Sequence, residues 1–349
     1  MPPVTVGEID PLQDARWPKF LDRHESATVF HSPAWLDALS RTYGYRVSAL
    51  STSGSGTELS NGLVFCRVRS WLTGSRAVSL PFSDHCVPLV SREDDLFCLL
   101  SALRRDAEER KLKYVEVRTI SGQPGTGGGL AAASAYCLHR LDLRPSLDDL
   151  FRGFHRSSLQ RRISRAERES LEYEEGRSED LLRKFYGLAV LTRRRQQLPP
   201  QPLAWFRNLI ASLGDQLKIR LVSFQGRPAA GILTLRYKAT MTYKYGCSDR
   251  AQHRLGTMPL LLWRAIQDAK QQGLTEFDMG RSDWTNEGLV AFKDHWGATR
   301  STIAHLRYPA LDRLPGSDGL GARLARQFFA RAPRRLLTTA GNILYRHMA

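Results

Sequence analysis

Apolar positions along the chain repeat first with the two-residue period of strands and then with the period of a helix, and this succession occurs twice. In the first occurrence Arg46–Leu50 predicts a short strand, and the polar run Ser51–Asn61 predicts a turn or loop. Gly62–Arg69 sets Leu63, Phe65, Arg67 and Arg69 against Val64, Cys66 and Val68, the alternation of a strand. Arg76–Phe82 predicts another strand. Asp94–Lys111 predicts a helix with Leu96, Leu99, Leu100 and Leu103 on one face, and the β-rich Tyr114–Arg118 follows it. In the second occurrence Lys218–Phe224, the turn Gln225-Gly226 and Ala229–Arg236 predict a hairpin, and Thr240–Tyr245 a third strand. Pro259–Gln271 predicts a helix, with Leu262, Ile266 and Ala269 at helical spacing, Pro259 near its start and Gly273 just past its end. Glu276–Met279 is the strand after it. The two halves share an order of elements rather than residue identities.

Tyr136–Leu143 predicts a strand closing the first half. Ser146–Phe154 and Ser157–Ser170 predict helices, the latter with Leu159, Ile163 and Ala166 on one face and Arg161, Arg165 and Arg168 on another. A helix over Ser178–Gln196 is stopped by Leu198-Pro199-Pro200-Gln201-Pro202, because proline cannot donate the helical hydrogen bond. Gly288–His295 predicts a short helix and Ser301–Tyr308 a last strand. The expected division is residues 1–145, residues 146–310 and a tail, residues 311–349. The tail has seven arginines (313, 323, 326, 331, 334, 335 and 346) against Asp312 and Asp318. Leu320, Leu324, Phe328 and Phe329 fall near helical spacing, interrupted by Gly319, Gly321 and Pro333. Such a basic amphipathic segment either lies on an anionic membrane surface or packs on the domains.

A chain of 349 residues suits two domains, and its 42% hydrophobic content is that of a globular protein. No stretch approaches the roughly 20 apolar residues that span a bilayer. Met1–Asp10 has no basic patch followed by an apolar run, so a cytoplasmic protein is expected. The five cysteines (66, 86, 98, 137 and 247) are scattered without a C-x-x-C pair, which argues against a disulfide framework or a zinc site. The formal charge of +16, mostly from arginine, attracts phosphate-bearing partners: nucleic acid, anionic lipid, nucleotide-linked sugars or coenzyme A. The same charge also serves plain solubility.

Familiar catalytic signatures are missing: there is no G-x-S-x-G, H-E-x-x-H, G-x-x-x-x-G-K-[ST] or G-x-G-x-x-G. Gly125–Gly129 lacks the Lys and Ser/Thr of a phosphate loop and reads as a surface connection. Ser248–Thr257 joins a strand to a helix, where backbone N–H groups and Arg250 and Arg254 would meet a phosphate. Phe277–Asp283 turns at Gly280 and places polar residues at the carboxyl end of a strand. Lys293 sits in the short helix that follows, either as an oxyanion-stabilising charge or as a solvated helix lysine. Asp84-His85-Cys86 cannot all converge on one strand face, which leaves Asp84 or His85 as candidate site residues. Arg193-Arg194-Arg195 would hold a pyrophosphate or carboxylate, or simply complement the end of its helix.

Taken together, Arg281-Ser282, Gly288-Leu289, Phe292-Lys293 and Trp296-Gly297-Ala298 resemble the carboxyl-terminal signature of the FemAB-type transferases. Tyr243-Lys244-Tyr245-Gly246, Pro259-Leu260-Leu261-Leu262-Trp263 and Phe277-Asp278-Met279-Gly280 belong to the same resemblance, and Leu80–Cys86 looks like an amino-terminal element of exopolysaccharide-associated relatives. The resemblance covers roughly residues 30–308 and is strongest from Leu181 onward. It implies an α/β (α+β) protein of two GNAT-like domains with mixed sheets, facing each other across a cleft. It also implies acyl or aminoacyl transfer to an amine of a cell-envelope, peptidoglycan or exopolysaccharide precursor. Lys293 carries over as the oxyanion residue, with Asp84 or Asp278 as proton acceptor. Phe292, Arg281, His85, Tyr245 and Arg193 would contact the acceptor, and Arg161, Arg165, Arg250 and Arg254 the donor phosphates. Arg250–Gly256 has one glycine where the acetyl-CoA loop pattern Q/R-x-x-G-x-G/A has two, so the donor is left open between acyl-CoA and aminoacyl-tRNA, with no metal. The expected partners are a sugar or peptide amine, lipid-linked or not, tRNA, and the inner membrane face through residues 311–349. The competing expectation is a binding or assembly protein that keeps the double fold without turnover.

Overall fold

The computed structural model describes residues 5–121, 128–310 and 320–348. Gly125–Gly127 and the tail residues 311–319, with Asp312, Arg313 and Asp318, lie outside the described residues, and for Leu320–Leu324 and Arg326 only the backbone is described. The chain begins with β1 (Gly7–Ile9), α1 (Arg16–Arg23), α2 (Pro33–Tyr43), β2 (Arg46–Ser51), β3 (Leu63–Val68), β4 (Arg76–Ser79), α3 (Glu93–Glu109), β5 (Tyr114–Ile120) and β6 (Ala131–Asp142). There follow α4 (Leu147–Gly153), α5 (Arg161–Ala166), β7 (Leu171–Gly176), α6 (Glu179–Arg195), α7 (Leu203–Leu213), β8 (Leu217–Phe224), β9 (Arg227–Tyr237) and β10 (Thr240–Ser248). The remainder is α8 (Thr257–Gln271), β11 (Glu276–Ser282), α9 (Glu287–Asp294), β12 (Thr299–Tyr308), α10 (Leu320–Arg331) and α11 (Arg334–Leu344).

Two compact units result: residues 1–136, 301–315 and 343–349 form one, and residues 137–300 and 316–342 the other. In the first, β2, β3 and β4 pair antiparallel in succession, β4 pairs parallel with β5 across helix α3, and β12 lies antiparallel on β5. Leu96, Leu99, Leu100 and Leu103 of α3 are buried on Phe65, Val115 and Val117. At roughly 1.5–3 kcal/mol per fully buried large apolar side chain, that one face fixes the helix to the sheet. In the second unit β8, β9 and β10 pair antiparallel, β10 pairs parallel with β11 across helix α8, and Cys137–Asp142 of β6 lies antiparallel on β11. Leu261, Leu262, Ile266 and Ala269 of α8 pack with Ile232 and Phe277, and with Ile163 and Ala166 of α5. The twice-repeated hairpin, strand, helix and strand is therefore physically present in both units. The closing strands differ from the expectation: Cys137–Asp142, read as the end of the first half, pairs with β11, whereas β12 completes the first unit.

The helix expected over Ser157–Ser170 is broken. A π-type turn over Arg156–Gln160 leads into α5, and the chain then extends into β7, which pairs with β8 as an edge strand. Elements without a strong sequence signal also appear: α1, buried through Trp17, Phe20 and Leu21, and α7, buried through Trp205, Phe206 and Leu209. In the tail, Leu337 is fully buried in the second unit, and Arg194 Nε donates to Ala330 O at 3.3 Å. A Cβ at Gly341 would lie 2.0 Å from Pro200 O, so α11 runs directly against the Pro-rich breaker. No helix among the described residues is long and apolar enough to cross a membrane.

Candidate functional site

The second unit's sheet opens at its centre. Strands β10 and β11 pair in parallel only at Thr240↔Glu276, Met241↔Phe277 and Thr242↔Asp278. Beyond that level β10 continues along β9 to Ser248↔Ala230, while β11 continues along β6 to Ser282↔Cys137. Both strands carry a bulge where they part: one between Tyr243 and Tyr245 on β10, one between Asp278 and Arg281 on β11. A bulge re-aims side chains and ends pairing, and here two opposed bulges separate the strands. Two backbone edges then face an opening rather than each other, an arrangement that suits an extended ligand.

The β11 bulge is held by opposite charges. Gly280 has φ +69°, a left-handed conformation that glycine adopts without strain. Its N–H donates to Asp278 Oδ1 at 2.7 Å, and its carbonyl accepts from Lys293 Nζ at 2.7 Å. Lys293 Nζ also donates to Arg281 O at 3.2 Å. Both ionic side chains are only 2% exposed. Lys293 reaches inward because α9 is fixed at both ends. Asn286 Oδ1 caps Leu289 N at 3.2 Å, and the Phe292 ring lies 6.2 Å from that of Trp296, which in turn packs on Phe154 at 4.9 Å. The next residue, Asp294, accepts from Arg300 Nε at 2.6 Å and lies 3.1 Å from His139 Nε2 on β6. Burial holds the His139 imidazole below its usual pKa against the opposing pull of Asp294, and burial pushes the neighbouring Cys137 thiol up. Cys137 Sγ is 3.6 Å from His139 Nδ1 and 3.8 Å from Nε2, so a thiol, an imidazole and a carboxylate cluster beside the bulge. Ser282 Oγ, paired in register with Cys137, is buried with no hydrogen-bond partner among the described residues.

Past the end of β10, Asp249 Oδ1 accepts from Ala251 N at 3.0 Å and starts a 3-10 turn, Arg250–Leu255. Gly256, at φ +70°, then hands the chain to α8. A Cβ there would lie 2.5 Å from Arg162 O, so only glycine lets α5 abut the start of α8. Ser248 ties the region together: its N–H donates to Thr192 Oγ1 at 3.0 Å, its carbonyl accepts from Arg195 Nη1 at 3.3 Å, and its Oγ lies 2.8 Å from His253 Nε2. His253 is held below its usual pKa by partial burial first, then by Arg195, Arg250 and Arg162, with Asp249 opposing. Three guanidinium groups thus gather at the positive end of a 15-residue helix, which favours a phosphate-bearing ligand.

The sequence-derived candidates distribute as follows. Asp278, Arg281 and Lys293 meet at the β11 bulge, Phe292 packs instead against Trp296 and the core, and Arg250 and Arg254 lie in the turn before α8. Tyr245 flanks the β10 bulge; its hydroxyl accepts from Trp205 Nε1 at 2.9 Å and its ring meets Phe206 at 5.2 Å. Arg193 turns to Gln196 Oε1 at 3.2 Å, and Arg165 pairs with Glu169 at 3.3 Å. Arg161 is an exposed side chain at the start of α5. Asp84 and His85 belong to the first unit, on a loop that Arg118 Nη1 holds through Leu80 O at 2.6 Å and Ser83 O at 2.8 Å. His85 is buried with its ring 5.3 Å from Phe30. Sequence reasoning missed Arg162 and the cluster of Cys137, His139 and Asp294, whereas Arg195 belongs to the Arg193-Arg194-Arg195 run it singled out. The Arg161-Arg162 doublet and the Cys-x-His spacing on one strand face were the available signals.

Comparison with known proteins bears on the same region. Residues 153–294 match the family model described as the Acetyltransferase (GNAT) domain, a span that holds β10, α8, β11 and Lys293. No curated protein matches the chain. Among solved structures, FemX is similar with a TM-score of 0.66 at 13% identity, over 85% of this chain and 96% of that one. A tandem GNAT protein from the clavulanic acid biosynthesis pathway has a TM-score of 0.57 at 11% identity, over 89% and 99% of the two chains. The C-terminal domain of a putative lysylphosphatidylglycerol synthetase from Agrobacterium fabrum has a TM-score of 0.56 at 15% identity, over 89% and 95%. With its mixed sheets and parting parallel strands, the chain has a GNAT-like α/β fold, and its second unit carries the segment that matches a GNAT acetyltransferase domain.

Proposed function

We propose that this protein transfers an acyl or aminoacyl group to an amine of a cell-envelope or exopolysaccharide precursor. The observation that carries the reading is the parting of β10 and β11 between a bracketed bulge and an arginine-rich helix start. Likeness in fold to FemX and to a lysylphosphatidylglycerol synthetase domain supports an envelope acceptor and keeps an aminoacyl donor in view beside acyl-CoA. An activated donor brings its own leaving group, so the enzyme must align the amine, take its proton and steady the oxyanion.

In this reading Arg250 and Arg254, with Arg162, Arg195 and Arg161, hold the donor phosphates at the start of α8. The donor's acyl arm lies along the open edges of β10 and β11. Lys293 supplies fixed positive charge behind the Gly280 carbonyl, close to where the oxyanion forms, and Asp278 accepts the proton. Phe292, Arg281, Tyr245 and Arg193 line the acceptor side. The reading is tested by supplying the full chain with labelled acetyl-CoA, and separately with aminoacyl-tRNA charged with labelled amino acid, in the presence of envelope-precursor amines. Label should pass from one donor into an amide. Absence of transfer from both donors would count against an enzyme and for a binding or assembly protein.

A further inference from the structure

A second surface belongs to the first unit alone. The turn that follows β3, Ser70–Gly74, carries Trp71 with 83% of its surface exposed, and Leu72 beside it is exposed as well. An indole so fully presented to water is costly, because aromatic side chains carry large apolar area. The turn is nevertheless held firmly. Arg76, itself buried, donates through Nη1 to Thr73 Oγ1 at 2.6 Å and through Nη2 to His347 O at 2.8 Å. Thr73 Oγ1 donates to His347 O at 2.9 Å, and His347 Nδ1 lies 3.1 Å from Ser70 Oγ. The Trp71 ring meets the His347 ring edge-on at 5.6 Å. Tyr45 donates its hydroxyl to Arg346 O at 3.0 Å, which fixes the C-terminal turn from the other side. Met348, next to this clasp, is exposed too. Arg69 and Arg346 flank the apolar tip, both exposed, and neither makes an ion pair with a described residue.

We infer that the Trp71–Leu72 turn, clasped to Tyr345–Met348, is a preformed docking point for an anionic lipid surface. Tryptophan and leucine at a rigid tip enter the headgroup boundary, and the flanking arginines meet lipid phosphates. The net charge of +16 adds long-range attraction of the same sign. This moves the membrane contact expected of residues 311–349 to the last turn of the chain and its partner loop, and it holds whatever group the enzyme transfers.

The test is co-sedimentation of the full chain with phosphatidylcholine vesicles, with and without phosphatidylglycerol, at low salt. Binding should need phosphatidylglycerol and should fall about tenfold or more in the Trp71→Ala/Leu72→Ala variant. Each of Arg69→Glu and Arg346→Glu should weaken it about fivefold or more, the equivalent of losing one basic contact. Trp71→Phe should remove a blue shift in tryptophan emission that vesicles induce in the parent. Because these side chains are exposed, thermal unfolding of the variants should match the parent and show that the fold is intact. Failure of the parent to bind phosphatidylglycerol vesicles would overturn the inference, as would equal binding by Trp71→Ala/Leu72→Ala.

Discussion

Replacing Lys293 with methionine removes an ammonium group and keeps nearly the same volume. The side chain is buried, and its Nζ donates to Gly280 O at 2.7 Å and Arg281 O at 3.2 Å. Hydrogen bonds from a charged donor contribute roughly 1.5–3 kcal/mol each. Their loss strands two carbonyls at the bulge and removes a buried positive charge on the other side of Gly280 from the Asp278 carboxylate. Breaking one side of a buried charged arrangement costs roughly 3–5 kcal/mol. We therefore expect Lys293→Met to lose about 3–5 kcal/mol, a large share of the roughly 5–15 kcal/mol of a typical domain. The assay is urea unfolding followed by far-UV circular dichroism and by tryptophan fluorescence. A loss below about 1 kcal/mol would refute the bracketed-bulge reasoning, because it would mean that the two carbonyls are satisfied without the lysine. Once turnover is measurable, the variant should be slower by roughly 100-fold or more under conditions where it is folded, as for removal of an oxyanion-stabilising donor.

Gly256→Ala should weaken donor binding and lower stability by about 1–3 kcal/mol, since its Cβ would meet Arg162 O at 2.5 Å at a positive φ; unchanged unfolding and binding would refute the tight α5–α8 junction. His31 makes stability depend on pH. Thr28 N donates to its Nδ1 at 3.1 Å and its Nε2 lies 2.9 Å from Val87 O, so the ring is neutral, and burial lowers its pKa to about 4. The unfolded imidazole titrates near 6.5, so on acidification the unfolded chain takes up the proton first. The contribution is complete above about pH 6.5, is lost as pH falls towards 4, and amounts to about 3 kcal/mol. His31→Gln should flatten that slope in urea titrations between pH 7 and 4, and an unchanged slope would refute the assignment.

The two halves were legible because their strands and helices bury one regular face. Leu96, Leu99, Leu100 and Leu103 announce α3, and Leu262, Ile266 and Ala269 announce α8, before any tertiary information. The edge strand β7 was not legible, since Leu-Glu-Tyr-Glu-Glu-Gly carries its charges into pairs with Lys184 and Lys218 rather than into an alternating apolar face. The choice of closing strand was hidden for another reason. β6 and β12 both read as good strands, and which parallel pair each one flanks is settled by long-range pairing that no local pattern encodes. At the site, Gly280, Asp278 and Lys293 stood out by type and spacing, but the bracketing of Gly280 between the two charges required the fold. Arg162 and Arg195 act on His253 electrostatically from separate helices, so their grouping with Arg250 could not be read from spacing along the chain.

Donor binding tests the central reading most directly. Labelled acetyl-CoA and labelled aminoacyl-tRNA would each be titrated into the full chain and into an Arg195→Glu/Arg250→Glu variant at fixed salt. We expect saturable binding of one donor by the parent and a loss of about tenfold or more in the variant, because the reversed charges face the donor phosphates at the start of α8. Binding of neither donor, or equal binding by parent and variant, would contradict a donor site at the parting of β10 and β11.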